Sequence, residues 1–289
     1  MSKLNAEVDE LSELARACDL SIEQTFSMKR AKPDVRYFLG KGKLDLILDY
    51  LTDCASAEPA LEIDVIIFNH ALSGSQQKNI STYLKDLRVV DRTYLILEIF
   101  SRRAQSFEGS LQVQLAQYQH MASQLTGGWT HLERQKGGIG MRGGPGERQI
   151  ELDRRIIRHR ITQIEEKLEK VKSARSISRK KRQDARHPLI ALIGYTNAGK
   201  STLFNWLTAS DVRAEDMLFA TLDPAIRKSN SLKMGTVMFS DTVGFIRNLP
   251  HTLVKAFSAT LEEVLNADLL LHVVDLSDSD YLEHMKVVT

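Results

Sequence analysis

The sequence predicts an α/β protein built in three parts. These are a small N-terminal α/β domain over residues 1–108, an antiparallel helical hairpin with its linker over 109–187, and a second α/β domain over 188–289. Three observations predict it. Apolar runs of strand length alternate with helical patterns through the first hundred or so residues. Two stretches in the middle each carry a one-faced apolar stripe at spacings of three and four. Over 189–207 a short apolar run, a glycine-bounded loop and a helix opening follow one another.

In the first part, residues 7–18 read as a helix, 35–39 as extended chain, and 41–53 as a helix opened by Lys41-Gly42-Lys43. The continuous apolar run Asp64-Val65-Ile66-Ile67-Phe68 has the composition of a buried parallel strand. Residues 73–87 read as a helix with Ser73 as its cap, Val89-Val90 as a short strand, and 93–103 as a helix. No constellation here has the make-up of a catalytic site. Gly40-Lys41-Gly42-Lys43 could contact phosphate, but a turn before a helix accounts for it equally well.

In the middle part, Leu111, Leu115, Tyr118, Ala122 and Leu125 form one stripe. Ile150, Ile157, Ile161, Ile164, Leu168 and Val171 form another, with Arg154 at the skipped seam position. Two such helices joined by a loop pack as an antiparallel hairpin. The connection, 126–146, holds eight of the chain's 16 glycines together with Trp129, His131, Arg134, Lys136 and Arg142. Glycines permit close backbone approach, Arg and Lys pair with phosphates, and Trp and His stack on bases. These five residues are therefore the candidate RNA contacts; a plain linker has little use for them. Beyond Lys172 the stripe dissolves into a basic stretch that reads as a linker, ending at His187-Pro188.

In the third part, Leu189-Ile190-Ala191-Leu192-Ile193 reads as a buried strand. Gly194-Tyr195-Thr196-Asn197-Ala198-Gly199-Lys200-Ser201 matches G-x-x-x-x-G-K-[ST], and Thr202 onward opens a helix. Backbone amides of such a loop wrap phosphates at a helix N-terminus, where the potential is positive. Lys200 is placed to reach the β- and γ-phosphates, and Ser201 to hold Mg2+. Asp241-Thr242-Val243-Gly244 follows a predicted strand 41 residues after Lys200. Its carboxylate suits a Mg2+-bound water, and its glycine amide suits the γ-phosphate. Between them lies Phe219-Ala220-Thr221-Leu222-Asp223-Pro224. Thr221 is the candidate switch threonine, a ligand to Mg2+ in the triphosphate state, with Thr208 and Thr236 as weaker candidates. Lys200, Thr221, Asp241 and Gly244 are thus the candidate catalytic residues, and Ser201 and Thr221 the metal ligands. Residues Gly194 through Thr202, Phe219 through Asp223 and Asp241 through Gly244 make up the nucleotide site. Leu269-Leu270-Leu271-His272-Val273-Val274-Asp275 reads as a further buried strand.

Composition narrows the partners. A hydrophobic fraction of 43% suffices for cores, and no apolar run reaches the ~20 residues of a membrane span. The N-terminus is polar, and Cys18 and Cys54 have no metal or redox spacing, so they are expected to be free thiols in a reducing cytoplasm. Net charge is +2 overall but −3 over 1–110, +9 over 111–187 and −4 over 188–289. A basic block confined to the hairpin suits a polyanion such as RNA.

The run Thr130-His131-Leu132-Glu133-Arg134-Gln135-Lys136-Gly137-Gly138-Ile139-Gly140, with Gly144-Pro145-Gly146-Glu147, the 194–201 loop, the 219–224 segment and Asp241-Thr242-Val243-Gly244-Phe245, resembles the HflX family of ribosome-associated GTPases. Ala225 and Arg148 depart from the threonine common there, and Gly143-Gly144 adds a glycine. The resemblance covers nearly the whole chain. It implies a P-loop (Ras-like) GTPase domain using GTP and Mg2+, binding to the large ribosomal subunit and its RNA with the hairpin tip near the peptidyl-transferase centre, and splitting or rescue of stalled ribosomes by a monomer. Two readings of other classes stand beside it: an RNA-binding module whose nucleotide domain no longer hydrolyses, and an RNA-dependent ATPase. Asn197 raises K+ as a further ion, since its side-chain oxygen can face a monovalent cation. Phe245 stands where related enzymes place a water-orienting glutamine, so slow intrinsic hydrolysis is expected. The chain reaches Thr289, 14 residues past Asp275, without an Asn-Lys-x-Asp element. The domain is therefore expected to be incomplete, the chain a fragment or a truncated product, and guanine reading to lie outside it.

Overall fold

The computed structural model describes residues 3–125, 146–184, 187–210, 217–229, 235–249, 253 and 263–289. In chain order its elements are α1 (Lys3–Arg16), α2 (Lys41–Ser56), β1 (Val65–Phe68), α3 (Gly74–Tyr83), β2 (Arg88–Asp91), α4 (Arg92–Arg103), α5 (Phe107–Gln124) and α6 (Gly146–Asp184). They continue with β3 (Leu189–Gly194), α7 (Lys200–Thr208), β4 (Ala225–Ser229), β5 (Val237–Asp241), β6 (Leu269–Val273) and α8 (Tyr281–Val288). The chain divides into two compact units. One comprises Met1–Ser21, Ile96–Gln117 and Thr162–Thr289; the other comprises Ile22–Leu95 and Tyr118–Ile161. No helix among the described residues is long and apolar enough to cross a membrane.

In the second of these units β1 and β2 pair in parallel, Val65 opposite Arg88 through Phe68 opposite Asp91. Tyr37, Leu44, Ile47, Phe68, Leu72, Ile80, Leu84 and Val89 form its core. Ser73 caps α3 as predicted. Its hydroxyl accepts from the Gln76 amide, and the Gln76 side chain accepts from the Ser73 amide, a reciprocal capping box. Ser73→Ala is expected to cost about 1 kcal/mol in a urea melt. The helix stops at Tyr83, short of the predicted Leu87, because Lys85 and Asp86 adopt left-handed backbone at φ 56 and 62. Residues 35–39 are a tight turn, not extended chain. Asp34 and Phe38 form an isolated antiparallel bridge, Phe38 has φ 64, and Asp34 accepts from the Arg36 and Tyr37 amides. At the end of α5 the Arg154 guanidinium donates to the Leu125 carbonyl at 3.1 Å, which is a polar use for the seam position that lacks an apolar side chain.

α6 runs twelve residues beyond Lys172, through the stretch read as a linker. The apolar stripe ends there, but Ala, Arg, Lys and Gln are strong helix formers, and helix propensity does not need a stripe. The 126–145 tip, with Trp129, His131, Arg134, Lys136 and Arg142, lies outside the described residues.

The first unit holds the sheet that organises the site, in the order β4-β5-β3-β6. β3 runs parallel to β5 and to β6, and β4 is antiparallel to β5. Leu192 lies opposite Asp241, and Gly194 opposite Val273. That register puts the carboxyl ends of three parallel strands at one edge, the edge where open α/β sheets bind ligands. Leu192, Phe204, Val237 and Phe239 pack α7 against the sheet. Cys18 and Cys54 are buried and form no disulfide, and burial pushes the Cys18 thiol up to about 11.

Candidate nucleotide and magnesium site

The 194–201 loop leaves β3 and enters α7 through two left-handed residues, Asn197 at φ 61 and Gly199 at φ 83. Gly194 is required by close approach: a Cβ there would lie 2.4 Å from the Val273 carbonyl oxygen. Lys200 begins α7 with its side chain buried, and its Nζ donates to the Tyr195 carbonyl at 2.6 Å. Burial pushes its pKa down to about 8, against the attraction of Asp241. A buried cation under a loop of amides is built to meet an anion.

Beside it three oxygen-bearing side chains converge. The Ser201 and Thr221 hydroxyls lie 2.7 Å apart, and both donate to Asp241 Oδ2, at 2.6 and 2.9 Å. Asp241 is fully buried and its Oδ1 has no hydrogen-bond partner. Burial raises its pKa, opposed by the two hydroxyls and by Lys200. The structure thus assembles the predicted Ser201, Thr221 and Asp241 from a loop, a linking segment and a strand end. Thr208, one of the two weaker candidates, donates its hydroxyl to the Phe204 carbonyl of its own helix at 2.7 Å. Among the described residues no group of three or more His, Cys, Asp or Glu is placed to hold a metal.

The loop, Asp241-Thr242-Val243-Gly244 and 219–224 are tied together. The Thr196 amide donates to the Phe245 carbonyl at 2.7 Å, and the Phe245 amide to the Gly194 carbonyl at 3.0 Å. Thr242 donates its hydroxyl to the Leu192 carbonyl at 2.6 Å, and the Phe219 amide donates to the Thr196 hydroxyl at 2.8 Å. Gly244 sits under the loop, where a Cβ would lie 2.5 Å from Thr196 Cα and 2.9 Å from its nitrogen. Backbone cannot yield as a side chain can. Gly244→Ala is expected to cost about 1–3 kcal/mol of stability, read by thermal denaturation, and to displace the loop. Asp223, read as a nucleotide-site residue, instead directs its carboxylate to Gln105 and Ser106. Ala198, Thr202, Ala220, Leu222 and Val243 lie in the same segments.

Sequence reasoning missed the surroundings of Tyr195. Its hydroxyl donates to Glu10 and accepts from the Arg247 amide at 2.9 Å, and its ring stacks on His284 at 3.7 Å. Burial and Glu10 raise its pKa. A cavity of about 290 Å³ opens here, walled by Asp9, Glu13, Asp275 and Asp278 among others. Thr196, Asn197 and Ala198 of the 194–201 loop and Arg247 line it as well, whereas Lys200, Ser201, Thr221 and Asp241 do not. No sequence pattern joins residues so far apart.

A mixed sheet, a glycine loop at the end of an inner strand, a buried lysine and a hydroxyl–carboxylate cluster define a P-loop nucleotide-binding fold. Family models match end to end: GTP-binding GTPase N-terminal over 5–101, GTP-binding GTPase Middle Region over 103–182, and 50S ribosome-binding GTPase over 189–288. GTPase HflX of Magnetococcus marinus is 50% identical over 97% of this chain and 63% of its own length, and GTPase HflX of Escherichia coli is 48% identical over 98% and 64%. The chain belongs to the HflX family of GTPases, and it spans under two thirds of the length of these relatives. The solved GDP complex of the protein called SsGBP superposes with a TM-score of 0.54 at 27% identity, covering 99% of this chain and 74% of that one.

Proposed function

We propose that this chain binds GTP with Mg2+, hydrolyses it, and couples that cycle to the large ribosomal subunit, acting to split or rescue stalled ribosomes. The observation that carries the nucleotide part is the convergence of Ser201, Thr221 and Asp241 beside buried Lys200. All the donors are oxygens, as a hard cation requires, and Asp241 Oδ1 is a buried acceptor awaiting a donor such as a metal-held water. The groups therefore fit Mg2+. When bound, Mg2+ supplies positive charge to the phosphate oxygens as the γ-phosphoryl group transfers. Ser201 and Thr221 would hold it, Asp241 would orient its waters, and Lys200 neutralises phosphate charge. The loop amides and Gly244 position the γ-phosphate for in-line attack by water.

The ribosomal part is supported by the basic charge of residues 111–187 and by the description of the family model matched over 189–288, 50S ribosome-binding GTPase. Trp129, His131, Arg134, Lys136 and Arg142 are its proposed RNA contacts, and the cytoplasm its compartment. Phe245 offers the attacking water no hydrogen bond, so hydrolysis by the isolated protein is expected to be slow and large subunits to accelerate it. Asn197, held left-handed in the loop, is the proposed K+ contact, so rates in K+ are expected to exceed those in Na+.

Labelled GTP and ATP binding, with hydrolysis measured with and without Mg2+, large ribosomal subunits, K+ and Na+, tests these statements together. GTP preferred over ATP with subunit-stimulated turnover is the expected result. Equal ATP affinity would favour an RNA-dependent ATPase, and subunit binding without turnover a hydrolysis-incompetent module. Subunit binding should also weaken steeply with salt, as phosphate contacts do.

A further inference from the structure

We propose that Asp223 is a positioning residue that fastens the Thr221 segment to the start of α5, so that the nucleotide state at Thr221 is transmitted to the base of the hairpin. The inference rests on the reading of the site as a triphosphate and Mg2+ switch.

Asp223 Oδ2 accepts from the Gln105 amide at 3.0 Å and the Ser106 amide at 2.8 Å, and Oδ1 accepts from the Ser106 hydroxyl. The Ser106 hydroxyl in turn accepts from the Gly109 amide at 2.9 Å, in the first turn of α5. A carboxylate at a helix N-terminus answers the positive end of the dipole, so the contact is favourable as well as close. Gly109 shows how close. A Cβ there would lie 2.3 Å from Asp223 Oδ1 and 2.9 Å from Ser106 Oγ. Glycine inside a helix is otherwise a cost relative to alanine, so its presence here is explained by the approach of the carboxylate.

The other end of the segment is anchored too. The Phe219 ring packs on Phe100 with centroids 4.6 Å apart, and Arg103 donates to the Phe219 carbonyl at 3.2 Å. Phe219 holds φ 56, a left-handed conformation costly for an aromatic residue and maintained by these contacts. Thr221 therefore sits midway along a short bridge. One end is fixed to α4 near Phe100 and Arg103, the other to Ser106, and the centre donates to Asp241 beside the Ser201 hydroxyl. Residues 219–223 are too few to let Thr221 shift while both ends stay still. A change at Thr221 must load Asp223 and the first-turn amides of α5.

Two variants approach the clamp from the α5 side. Gly109→Ala pushes a methyl group against the Asp223 carboxylate. Ser106→Ala removes one hydroxyl and leaves the backbone amides in place, so it keeps the test open if Gly109→Ala folds poorly. Nucleotide affinities and amide hydrogen exchange at Gln105, Ser106 and Gly109 are measured in the intact protein, with Mg2+ and either GDP or a non-hydrolysable GTP analogue. In the wild type, exchange at these amides is expected to differ several-fold between the two nucleotides. In both variants the preference for the GTP analogue over GDP is expected to fall, by about tenfold in Gly109→Ala, with GDP affinity within about twofold of wild type. Asp223→Asn, which keeps one acceptor oxygen, is expected to retain more of that preference than Asp223→Ala. Exchange indifferent to nucleotide while both nucleotides bind would overturn the coupling, and so would equal losses for GDP and the GTP analogue, the mark of a structural role. Binding of neither nucleotide to the wild type would instead overturn the reading of the site, and the coupling with it.

Discussion

Lys200→Met is expected to abolish triphosphate binding and, in protein without added nucleotide, to raise stability. The two effects have one cause. Lys200 is 6% exposed, and burial pushes its pKa from 10.5 down to about 8, so its charged form is penalised in the fold. That shift corresponds to roughly 3 kcal/mol, offset in part by the roughly 1–2 kcal/mol of the hydrogen bond to the Tyr195 carbonyl. Methionine fills similar volume without the charge, so a net gain of about 1–2 kcal/mol is expected at pH 7. The pH dependence has a definite sign. The native pKa lies below the unfolded one, so the unfolded chain binds more protons between about pH 8 and 10.5, and stability rises with pH across that window. Below about pH 8 the penalty is complete. Urea melts of wild type and variant should converge as pH rises through the window, because the variant lacks this group. Nucleotide reverses the comparison: phosphate charge meets the ammonium, and loss of such a charge-assisted contact is expected to weaken GTP binding at least about a hundredfold. A wild type more stable than Lys200→Met at pH 7 without nucleotide would contradict the account.

What was legible in the sequence was local. Leu189 through Thr202 announces a strand, a loop and a helix within a few residues of one another, and the structure forms them there. Ser73 and Gln76 announce a cap by the same local logic. Thr221 and Asp241 were readable because each sits in a short pattern with a chemical reason for its residue types. What escaped was of two kinds. Backbone sign was one: Phe38, Lys85 and Asp86 turn left-handed, and nothing in an apolar pattern reports φ. Long-range pairing was the other. Asp223 meets Ser106 and Tyr195 meets Glu10 across 117 and 185 residues, and a polar side chain carries no mark of a partner that far away. In sequence Asp223 stands among nucleotide-site residues, whereas its carboxylate answers a helix start that is adjacent only in the fold. The run of α6 through Asp184 is a milder case, because a helix can continue past the end of its apolar stripe.

Ser201→Ala and Thr221→Ala are expected to diverge, although their hydroxyls donate to the same oxygen of Asp241. Each substitution removes one donor to a buried carboxylate, so each is expected to cost stability of a similar size, about 1.5–3 kcal/mol. Activity should therefore be compared at a temperature where both variants remain folded. Beyond that shared cost their positions differ. Ser201 lies in the first turn of α7, attached to the loop proposed to wrap the phosphates common to GDP and GTP. Thr221 lies on the 219–223 bridge, which is proposed to answer to the γ-phosphate. Ser201→Ala is expected to weaken Mg2+-dependent binding of both nucleotides and to make binding insensitive to chelation by EDTA. Thr221→Ala is expected to leave GDP binding and its response to EDTA near wild type, to erase the preference for GTP, and to lower hydrolysis about a hundredfold, the size of effect seen when one group that stabilises transition-state charge is removed. Titrating Mg2+ against each variant with GDP and with a GTP analogue separates the two. If Thr221→Ala weakens GDP as much as GTP, the three-oxygen cluster is a structural hydrogen-bond network, and Thr221 does not sense the γ-phosphate. If Ser201→Ala keeps full Mg2+ dependence with both nucleotides, the ion is held elsewhere, and the unpartnered oxygen of Asp241 needs another explanation.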